Sequence, residues 1–330
     1  MSPKPRGSFL QTYLKKLDRY LKDPKLVEIA INPDGQVWIE RQGDDVMKRV
    51  EGMMFSPSDA RDLGRAIASD VGAPISEKKP VVSGKVLFDC EPLRAQVVIA
   101  PVIETGASIT LRRYSQQKLP IGNVSLLHGA LVNLDEEKRK RAFEVRRLTG
   151  EGKIQDAMQL CIEDRLNIVI SGGTSTGKTT FARCLLDMVD PGERIVTIED
   201  SYELFPEQPN TVSMKSDRVK ESEKNPAKLL ESSLRMRPDR IILGELRGSE
   251  AVTFLEAINT GHGGSFTTIH ADTAVKAIDR LSMLVMGTGM NMSFDEVRRY
   301  CASSIDVVIQ LGRSEGRRGV AEIFLPSTVA

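Results

Sequence analysis

The chain has 330 residues, of which 40% are hydrophobic and 28% charged, a composition typical of a globular protein with one large or two smaller domains. Its 46 Lys and Arg residues nearly balance its 45 Asp and Glu residues, so the overall charge carries no signature of nucleic-acid binding. Aromatic residues amount to only 5%, which leaves few side chains for stacking single-stranded bases. The four cysteines have neither zinc-site nor redox-pair spacing and are predicted to be reduced thiols.

The amino-terminal third of the chain alternates between helix and strand signals. A helical stripe in FLQTYLKKLDRYL (9–21) precedes two predicted strands around the turn Pro33-Asp34-Gly35. The segment SPSDARDLGRAIASDVG (56–72) predicts a helix with Ser56 as its N-cap and Gly72 at its end. Three more strand signals follow: VVSGKVLF, LRAQVVIAP and SITLRRY. Residues 1–114 are therefore predicted to form a small α/β domain with an antiparallel or mixed sheet.

Two further regions follow this domain. Residues 115–165 contain Pro120, Gly122 and the charged run DEEKRKRAFEVRRL (135–148), which predicts a linker with one or two helices. From residue 166 to 330, apolar strands alternate with helices, as in a doubly wound, mostly parallel sheet. The predicted parallel strands are LNIVIS, RIVTIE, RIILGE and SFTTIH. The last helix begins with the capping-box sequence SFDE, and DVVIQL and VAEIFLP are predicted to pair across GRSEGRRG (312–319).

A glycine-rich loop, GGTSTGKT (172–179), lies between the first of these strands and a helix, so it satisfies G-x-x-x-x-G-K-[ST] in the required context. Its glycines allow backbone N–H groups to point at phosphate oxygens, and the start of the helix favours anions. Lys178 is expected to reach the β- and γ-phosphates, and the Thr179 hydroxyl to ligate Mg²⁺. The sequence therefore predicts ATP and Mg as cofactors. The predicted nucleotide-binding residues are Gly172, Gly173, Thr174, Ser175, Thr176, Gly177, Lys178, Thr179 and Thr180.

Polar side chains follow the other apolar strands. Glu199 and Asp200 end RIVTIED, Glu245 follows RIIL, and His270 ends SFTTIH. Because ligands of such sheets bind at the carboxyl ends of the strands, we expect these side chains to share one edge with the phosphate loop. Taken singly, each side chain could have a purely structural role. A carboxylate can cap the next helix, a histidine can form its hydrogen bonds within the core, and Glu245 can pair with Arg247 in solvent. Their joint position favours an active site.

The charges of these residues suggest roles. Hydrolysis of ATP needs carboxylates that hold Mg²⁺, directly or through water, and that orient the attacking water. Glu199 and Glu245 are the candidates for both roles, and the sequence leaves their division open. Asp200 either assists or caps a helix. His270 is predicted to sense the γ-phosphate through a hydrogen bond, with His262 as a weaker second candidate.

Four segments of this region, GGTSTGKT, RIVTIEDSYEL, LRMRPDRIILGELRG and GHGGSFTTIHAD, resemble in order the four boxes of the secretion ATPase superfamily. The segments LKDPKLVEIAINPDGQVWIER, PLRAQVVIAPV and ASITLRRY resemble the N-terminal domain of the ATPase of bacterial type IV secretion systems. That branch is related to the type II secretion and pilus-retraction motors. The resemblance covers nearly the whole chain and is weakest in the linker.

The resemblance implies a homo-hexameric ring in which a RecA-like P-loop ATPase domain (166–330) joins the smaller N-terminal α/β domain, with ATP bound between the two domains of a subunit. It also implies that Arg94 in PLRAQVV and Arg112 in SITLRR reach the phosphates as catalytic residues. Alternatively, these two arginines lie at strand edges and form surface ion pairs. The phosphate loop departs from the family in having Ser175 and Thr176, where glycine and serine are more frequent. We expect this departure to tune nucleotide binding without abolishing it.

The predicted function is that of a Mg-dependent ATPase that energises type IV secretion, whether substrate export, conjugation or pilus assembly. The chain has neither an apolar signal core nor a run of eighteen apolar residues, so a cytoplasmic protein is predicted. The resemblance adds a peripheral position at the cytoplasmic face of the inner membrane, with inner-membrane and coupling components of a secretion machine as partners.

Two other functions fit parts of the sequence. A nucleotide-gated scaffold with low turnover needs only the phosphate loop, and the full set of carboxylates argues against it. A RecA-like nucleic-acid motor would find its best support in KRKRAFEVRR (138–147). Because Asp135, Glu136, Glu137 and Glu144 flank or interrupt this run, a solvated helix face is the preferred interpretation, and direct contact with nucleic acid is not expected.

Overall fold

Sheets flanked by helices organise the part of the chain that the computed structural model describes, which is residues 9–114, 120–219 and 221–326. These residues group into two compact units. The first unit comprises the described residues within Met1–Ser115 together with Asp190–Tyr202 and Glu207–Asp239. The second comprises those within Gln116–Val189, Glu203–Pro206 and Arg240–Ala330. The domain boundaries predicted above, at 114 and 165, stay a prediction.

The first unit contains an antiparallel sheet with the strand order β3-β2-β1-β6-β5-β4. Its elements in chain order are α1 (Phe9–Leu14), a 3-10 turn (Lys15–Leu17), α2 (Asp18–Leu21), β1 (Leu26–Ile31), β2 (Gln36–Arg41), β3 (Lys48–Met54), α3 (Pro57–Val71), β4 (Val81–Phe88), β5 (Glu91–Ile99) and β6 (Ala107–Arg113). Buried leucines of α1, α2 and α3 share one apolar core with this sheet.

The ends of α3 follow their sequence signals. The Ser56 hydroxyl accepts a hydrogen bond from the Asp59 amide at 3.1 Å, and Pro57 occupies the first helical position. Gly72 ends the helix with φ 74°, a left-handed conformation that glycine adopts without strain. Both cap predictions are confirmed. The edge strand β3, in contrast, was not predicted, because most of its side chains are exposed and it lacks an apolar pattern.

The second unit contains a run of five strands in the order β13-β12-β7-β11-β10. The pairs β12–β7, β7–β11 and β11–β10 are parallel, and β12–β13 is antiparallel. Its described elements are a 3-10 turn (Ile121–Asn123), α4 (Leu134–Gly150), α5 (Ile154–Glu163), β7 (Ile168–Gly172), α6 (Lys178–Asp187), β10 (Arg240–Leu243), α8 (Glu250–Asn259), β11 (Phe266–Ile269), α9 (Ala274–Met286), α10 (Phe294–Ser304), β12 (Val307–Ser314) and β13 (Arg317–Phe324). The remaining elements, β8 (Ile195–Glu199), β9 (Thr211–Lys215) and α7 (Pro226–Ser233), belong to the first unit. The predicted α/β class with a mostly parallel P-loop sheet is confirmed.

The hairpin at the end of the chain differs from its prediction. The segment GRSEGRRG was expected as a loop, yet β12 extends to Ser314 and β13 begins at Arg317. Only Glu315 and Gly316 lie between the strands, with φ 50° and 80°. Two successive residues with positive φ form the kind of two-residue turn whose twist matches that of a hairpin. The strands therefore continue through the charged residues at both sides of the turn.

A buried arginine joins distant segments of the first unit. Arg194 precedes β8 and is fully buried, and its guanidinium donates to Asn32 Oδ1 at 2.7 Å, to Asn210 Oδ1 and to the Met236 carbonyl at 2.8 Å. Its backbone amide donates to Asp239 Oδ2 at 2.7 Å. Burial of a guanidinium is costly unless its N–H groups are satisfied. These acceptors satisfy the Nε and Nη1 groups and tie residues 32, 194, 210 and 236 together, whereas the buried Nη2 has no hydrogen-bond partner among the described residues.

Candidate active site

The phosphate loop lies between β7 and α6 and depends on glycine at both ends. At Gly172, with φ 159°, an added Cβ would lie 2.5 Å from Thr176 Oγ1 and 2.9 Å from the Leu311 carbonyl oxygen. Gly177 has φ 95° and stands at the N-terminus of α6. The Thr176 hydroxyl donates to the Gly173 carbonyl at 3.0 Å and closes the turn. The loop therefore has the tight curvature that directs backbone N–H groups toward an anion.

Ser175 occupies the middle of the loop with φ 61°. The left-handed region is open to glycine and costs other residues roughly 1–2 kcal/mol. The position at which the sequence departs from the family's more frequent glycine is thus a position where the backbone favours glycine. The predicted nucleotide-binding residues Thr174 and Thr180 are exposed, and Thr179 is partly exposed.

Lys178 is nearly buried at the start of α6. Its amino group donates to the carbonyl oxygens of Gly172 and Gly173, at 3.0 Å each. Burial lowers its pKa; Glu245 opposes that shift and Arg247 adds to it. The amino group therefore belongs to the concave side of the loop, where phosphate binds in loops of this type.

His270 and Glu245 extend this arrangement. The Lys178 Nζ lies 3.3 Å from His270 Nδ1 and 3.4 Å from His270 Nε2. The His270 Nε2 lies 3.3 Å from Glu245 Oε1, and the Arg247 guanidinium donates to Glu245 Oε2 at 2.6 Å. The structure thus brings together the phosphate-loop lysine and two of the side chains predicted from strand ends. The Glu245–Arg247 pair of the alternative interpretation is present as well, and it occupies one carboxylate oxygen while the other faces His270.

Backbone contacts hold the segment that carries Glu245. The Leu246 amide donates to the Thr268 carbonyl at 2.9 Å, and the Thr268 hydroxyl donates to the Gly244 carbonyl at 2.8 Å. These two bonds join the segment after β10 to β11, the strand that His270 follows. They explain why Glu245 and His270 meet.

Glu250 was missed by the sequence interpretation. It is buried, and one of its carboxylate oxygens accepts from the amides of Arg247 and Gly248 at 2.8 and 3.0 Å. It therefore fixes the loop between β10 and α8. An acid at the start of a helix, five residues after Glu245, is the signal that would have found it.

The remaining acidic candidates belong to the first unit. Glu199 is buried as the last residue of β8, in register with Lys215 of β9, and the Thr197 hydroxyl lies 3.5 Å from its Oε2. Asp200 accepts from the Ser216 hydroxyl at 2.9 Å and from Arg218 Nε at 3.0 Å. The Asp200 carboxylate therefore has structural partners. Glu199 is the last residue of β8, and its catalytic role stays a prediction.

The two arginines implied by the family resemblance are also in the first unit. Arg94 of β5 and Arg112 of β6 are in register with each other, and both are exposed. The Arg94 guanidinium lies 5.9 Å from the centroid of the Tyr114 ring. Arg112 is in register with the buried Glu28 on the other side; burial raises the pKa of that carboxyl, and the charge of Arg112 opposes the rise. Two neighbouring strands thus present a pair of adjacent cations.

His262, the weaker histidine candidate, follows α8. Its amide donates to the Ala257 carbonyl at 3.3 Å, and its carbonyl accepts from the Ser265 hydroxyl at 2.7 Å. Gly261 and Gly264, on either side of it, have φ 112° and 83°. These contacts of His262 lie within the loop that connects α8 with β11. The histidine whose contact with Lys178 the structure describes is His270.

Comparison with known proteins assigns the chain to a family. A family model described as type II/IV secretion system protein matches residues 13–316. The chain belongs to this family. The type IV secretion system protein VirB11 of Bartonella henselae is 35% identical to it, over 95% of this chain and 92% of the relative. The conjugal transfer protein TrbB of Rhizobium radiobacter is 32% identical, over 92% of this chain and 84% of the relative.

A solved structure agrees with the sequence relatives. The VirB11 ATPase from the Brucella suis type IV secretion system, in complex with sulphate, matches with a TM-score of 0.86 and 28% identity, over 98% of this chain and 96% of that chain. The resemblance to the secretion ATPase superfamily predicted from the four boxes is confirmed. With it, the prediction of an ATP-hydrolysing enzyme that serves secretion is confirmed.

Proposed function

We propose that this protein is a Mg-dependent ATPase that assembles as a homo-hexameric ring and energises type IV secretion. The observation that carries the catalytic part is the line of contacts from Lys178 through His270 to Glu245 beside a glycine-bounded phosphate loop. The names of the VirB11 and TrbB relatives support the secretion part. The sulphate in the Brucella structure supports anion binding by a protein of this fold.

In the proposed mechanism, the phosphate loop holds the α- and β-phosphates through its amides, and Lys178 exchanges its bonds to Gly172 and Gly173 for bonds to the β- and γ-phosphates. Glu245 orients the attacking water through the oxygen that faces His270, and Arg247 holds the other oxygen in place. His270 lies between the lysine and this carboxylate, so it can report the presence of the γ-phosphate to Glu245.

The donor set is compatible with magnesium. Among the described residues, no group of three or more His, Cys, Asp or Glu side chains is spaced to hold a metal ion. Magnesium bound with a nucleotide needs less than this, because it keeps water and phosphate oxygens as most of its ligands. Thr179 would supply one oxygen, and Glu199 and Glu245 are the candidates for contacts made directly or through water. The ion would neutralise charge on the phosphates.

The assembly part of the proposal rests on the family. In the proposed ring, Arg94 and Arg112 stabilise the charge of the transferred phosphoryl group, a contribution that can reach roughly 10³–10⁵ in rate. The proposed partners are inner-membrane and coupling components of a secretion machine, and the proposed location is the cytoplasmic face of the inner membrane. Within the described part of the chain, no helix has both the length and the apolar content to cross a membrane.

The test is ATP turnover with Mg²⁺ by the variants Lys178→Ala and Glu245→Gln. Loss of the lysine removes the positive charge that faces the phosphates and is expected to lower kcat/KM by at least about 100-fold. Loss of the water-orienting carboxylate is expected to lower kcat by about 100- to 10,000-fold while ADP binding is kept.

The matched controls are Lys276→Ala and Glu256→Gln, two exposed side chains of the same unit, which are expected to turn over as the unmodified protein does. Turnover of Lys178→Ala or Glu245→Gln at the control rate would contradict the catalytic assignment.

The nucleic-acid motor finds little support in α4. Most of its basic side chains are engaged: Lys138 with Asp306, Lys140 with Glu136 and Glu137, Arg141 with Asp164, and Arg147 with Glu144 and Glu151. A helix whose cations are already paired, within α4 or with neighbouring acids, offers few of them to a phosphate backbone. These contacts support the solvated-face interpretation and the proposal that nucleic acid is not bound directly.

A further inference from the structure

The β12–β13 hairpin runs alongside the phosphate loop. Strand β12 pairs with β7 in parallel, and Leu311 is in register with Gly172, the first glycine of the loop. At this point β7 ends, whereas β12 continues through Arg313 to Ser314 before the chain turns back. The part of the hairpin from residue 312 to 319 therefore extends beyond the carboxyl end of β7, on the side where the loop begins.

The hairpin presents two arginines on the face that meets the loop. Arg313 and Arg318 are in register across the two strands. Leu311 shares their face, because side chains two residues apart on a strand point the same way, and its Cβ lies 3.4 Å from the position that a Cβ on Gly172 would occupy. The Arg318 Cδ lies 3.9 Å from the corresponding position on Gly177. The arginine stem thus packs beside the glycine that precedes Lys178.

The charges of these arginines are not balanced from within the described residues. Neither guanidinium forms a hydrogen bond or ion pair with the part of the chain that the structure describes, and Arg318 is exposed. Arg317, on the other face of the hairpin, pairs with Glu315 at 3.7 Å. Like charges directly opposite each other destabilise a strand pair. Two opposed arginines next to a phosphate loop are therefore suited to an anionic ligand.

We propose that Arg318, assisted by Arg313, binds the α- and β-phosphates of the nucleotide on the phosphate loop. The residues G-K-T of such loops present their amides to these phosphates, and Gly177 is the first of the three here. A guanidinium carries a fixed charge and a planar set of donors that matches phosphate oxygens. This inference rests on the proposed nucleotide-binding function and adds a cation from the last strand pair of the same unit.

The test compares Arg318→Gln with Arg317→Gln, an adjacent arginine of the opposite face. We expect Arg318→Gln to raise the Kd for ADP and for ATP by the same factor, about tenfold, as for loss of one charge-assisted hydrogen bond at a partly exposed site. The KM for ATP should rise similarly and kcat should stay within about twofold, because the contact is the same before and during hydrolysis. Arg317→Gln should match the unmodified protein.

Two further measurements separate a binding role from a structural one. Arg318→Lys keeps the charge and should recover at least half of the lost affinity on a logarithmic scale. The difference in affinity between the unmodified protein and Arg318→Gln should shrink as ionic strength is raised, because salt screens an exposed charge.

Equal ADP affinity of Arg318→Gln and Arg317→Gln, with binding by the unmodified protein intact, would overturn the inference. A fall in kcat without a change in ADP affinity would overturn it too, since the arginine would then act only on the γ-phosphate. Failure of the unmodified protein to bind ADP, or equal binding by Lys178→Ala, would overturn the nucleotide-binding function itself.

Discussion

Ser175 holds a left-handed backbone conformation in the middle of the phosphate loop. The motif fixes glycine only at positions 172 and 177, so the sequence predicted the loop and its ligand but not the conformation at 175. A local hydrogen bond from the Thr176 hydroxyl to the Gly173 carbonyl closes the turn around this angle. A departure from the family's more frequent residue was visible in the sequence, and its physical cost becomes visible only in the backbone.

We expect Ser175→Gly to raise the free energy of unfolding by about 0.5–1 kcal/mol, since the relieved strain exceeds the entropy that glycine loses. Nucleotide affinity should change by less than about threefold, because the loop contacts phosphate through its amides. Thermal unfolding and ADP titration measure the two quantities. The adjacent Thr174→Gly, at a position where φ is not positive, should instead destabilise the protein. A lower melting temperature for both variants would contradict the inference that the backbone at Ser175 is strained.

The strands of the parallel sheet illustrate what sequence patterns predict at the scale of elements. Short apolar runs identified β7, β8, β10 and β11. The polar residues at the ends of the last three supplied the candidates Glu199, Glu245 and His270, of which the structure brings Glu245 and His270 together. The outer part of the β12–β13 hairpin was not predicted, because exposed charged strands look like a loop. As a result, Arg313 and Arg318 were not candidates. The edge strand β9 was also missed, although alternate residues of it are buried, which is the pattern of a half-buried strand.

Strand β1 carries a buried carboxylate, Glu28. Burial raises the pKa of Glu28 to about 7; Arg112, Arg237 and Arg194 oppose the shift, and Glu40 adds to it. The folded protein therefore holds this proton more tightly than the unfolded chain, whose carboxyl has a pKa near 4.5. Between these two values, the free energy of unfolding should fall as pH rises, by at most about 1.4 kcal/mol per pH unit.

We expect Glu28→Gln to reduce the decline in stability between about pH 4.5 and pH 7, because the glutamine does not ionise. Chemical unfolding at a series of pH values measures this. Glu51→Gln, at an exposed site of β3 in the same sheet, is the control and should leave the pH dependence unchanged. If Glu28→Gln and Glu51→Gln gave the same pH profile, Glu28 would not be the titrating group.

At the scale of the whole molecule, the proposed ring predicts how activity depends on concentration. If the competent site needs neighbouring subunits, ATP hydrolysis per subunit should rise with protein concentration and then saturate. Turnover with Mg²⁺ over a wide concentration range, together with the molecular mass at each point, measures this. A low, constant activity per subunit would instead support the nucleotide-gated scaffold. Arg317→Gln, which leaves the phosphate loop intact, provides a matched control for preparation effects.

The two units follow the chain less simply than the predicted domains do. The sequence changes character at residues 114 and 165, and these changes predicted three consecutive regions. In the structure, the first unit also takes in Asp190–Tyr202 and Glu207–Asp239. Hydrophobic periodicity reports on neighbours along the chain, whereas the Arg194–Asn32 bond joins residues that are far apart in sequence. No local pattern carries that information.

The Arg194 network has a consequence for synthesis. A ribosome releases the chain from its amino end, so the strands around Asn32 emerge long before residues 194, 210 and 236. During that interval, the side chain of Asn32 lacks the buried cation that it binds in the finished protein. The segment that emerges in between contains the phosphate loop. Translation therefore delivers the nucleotide-binding loop before the first unit can close, and a nascent chain from which the loop has just emerged would still have an incomplete first unit.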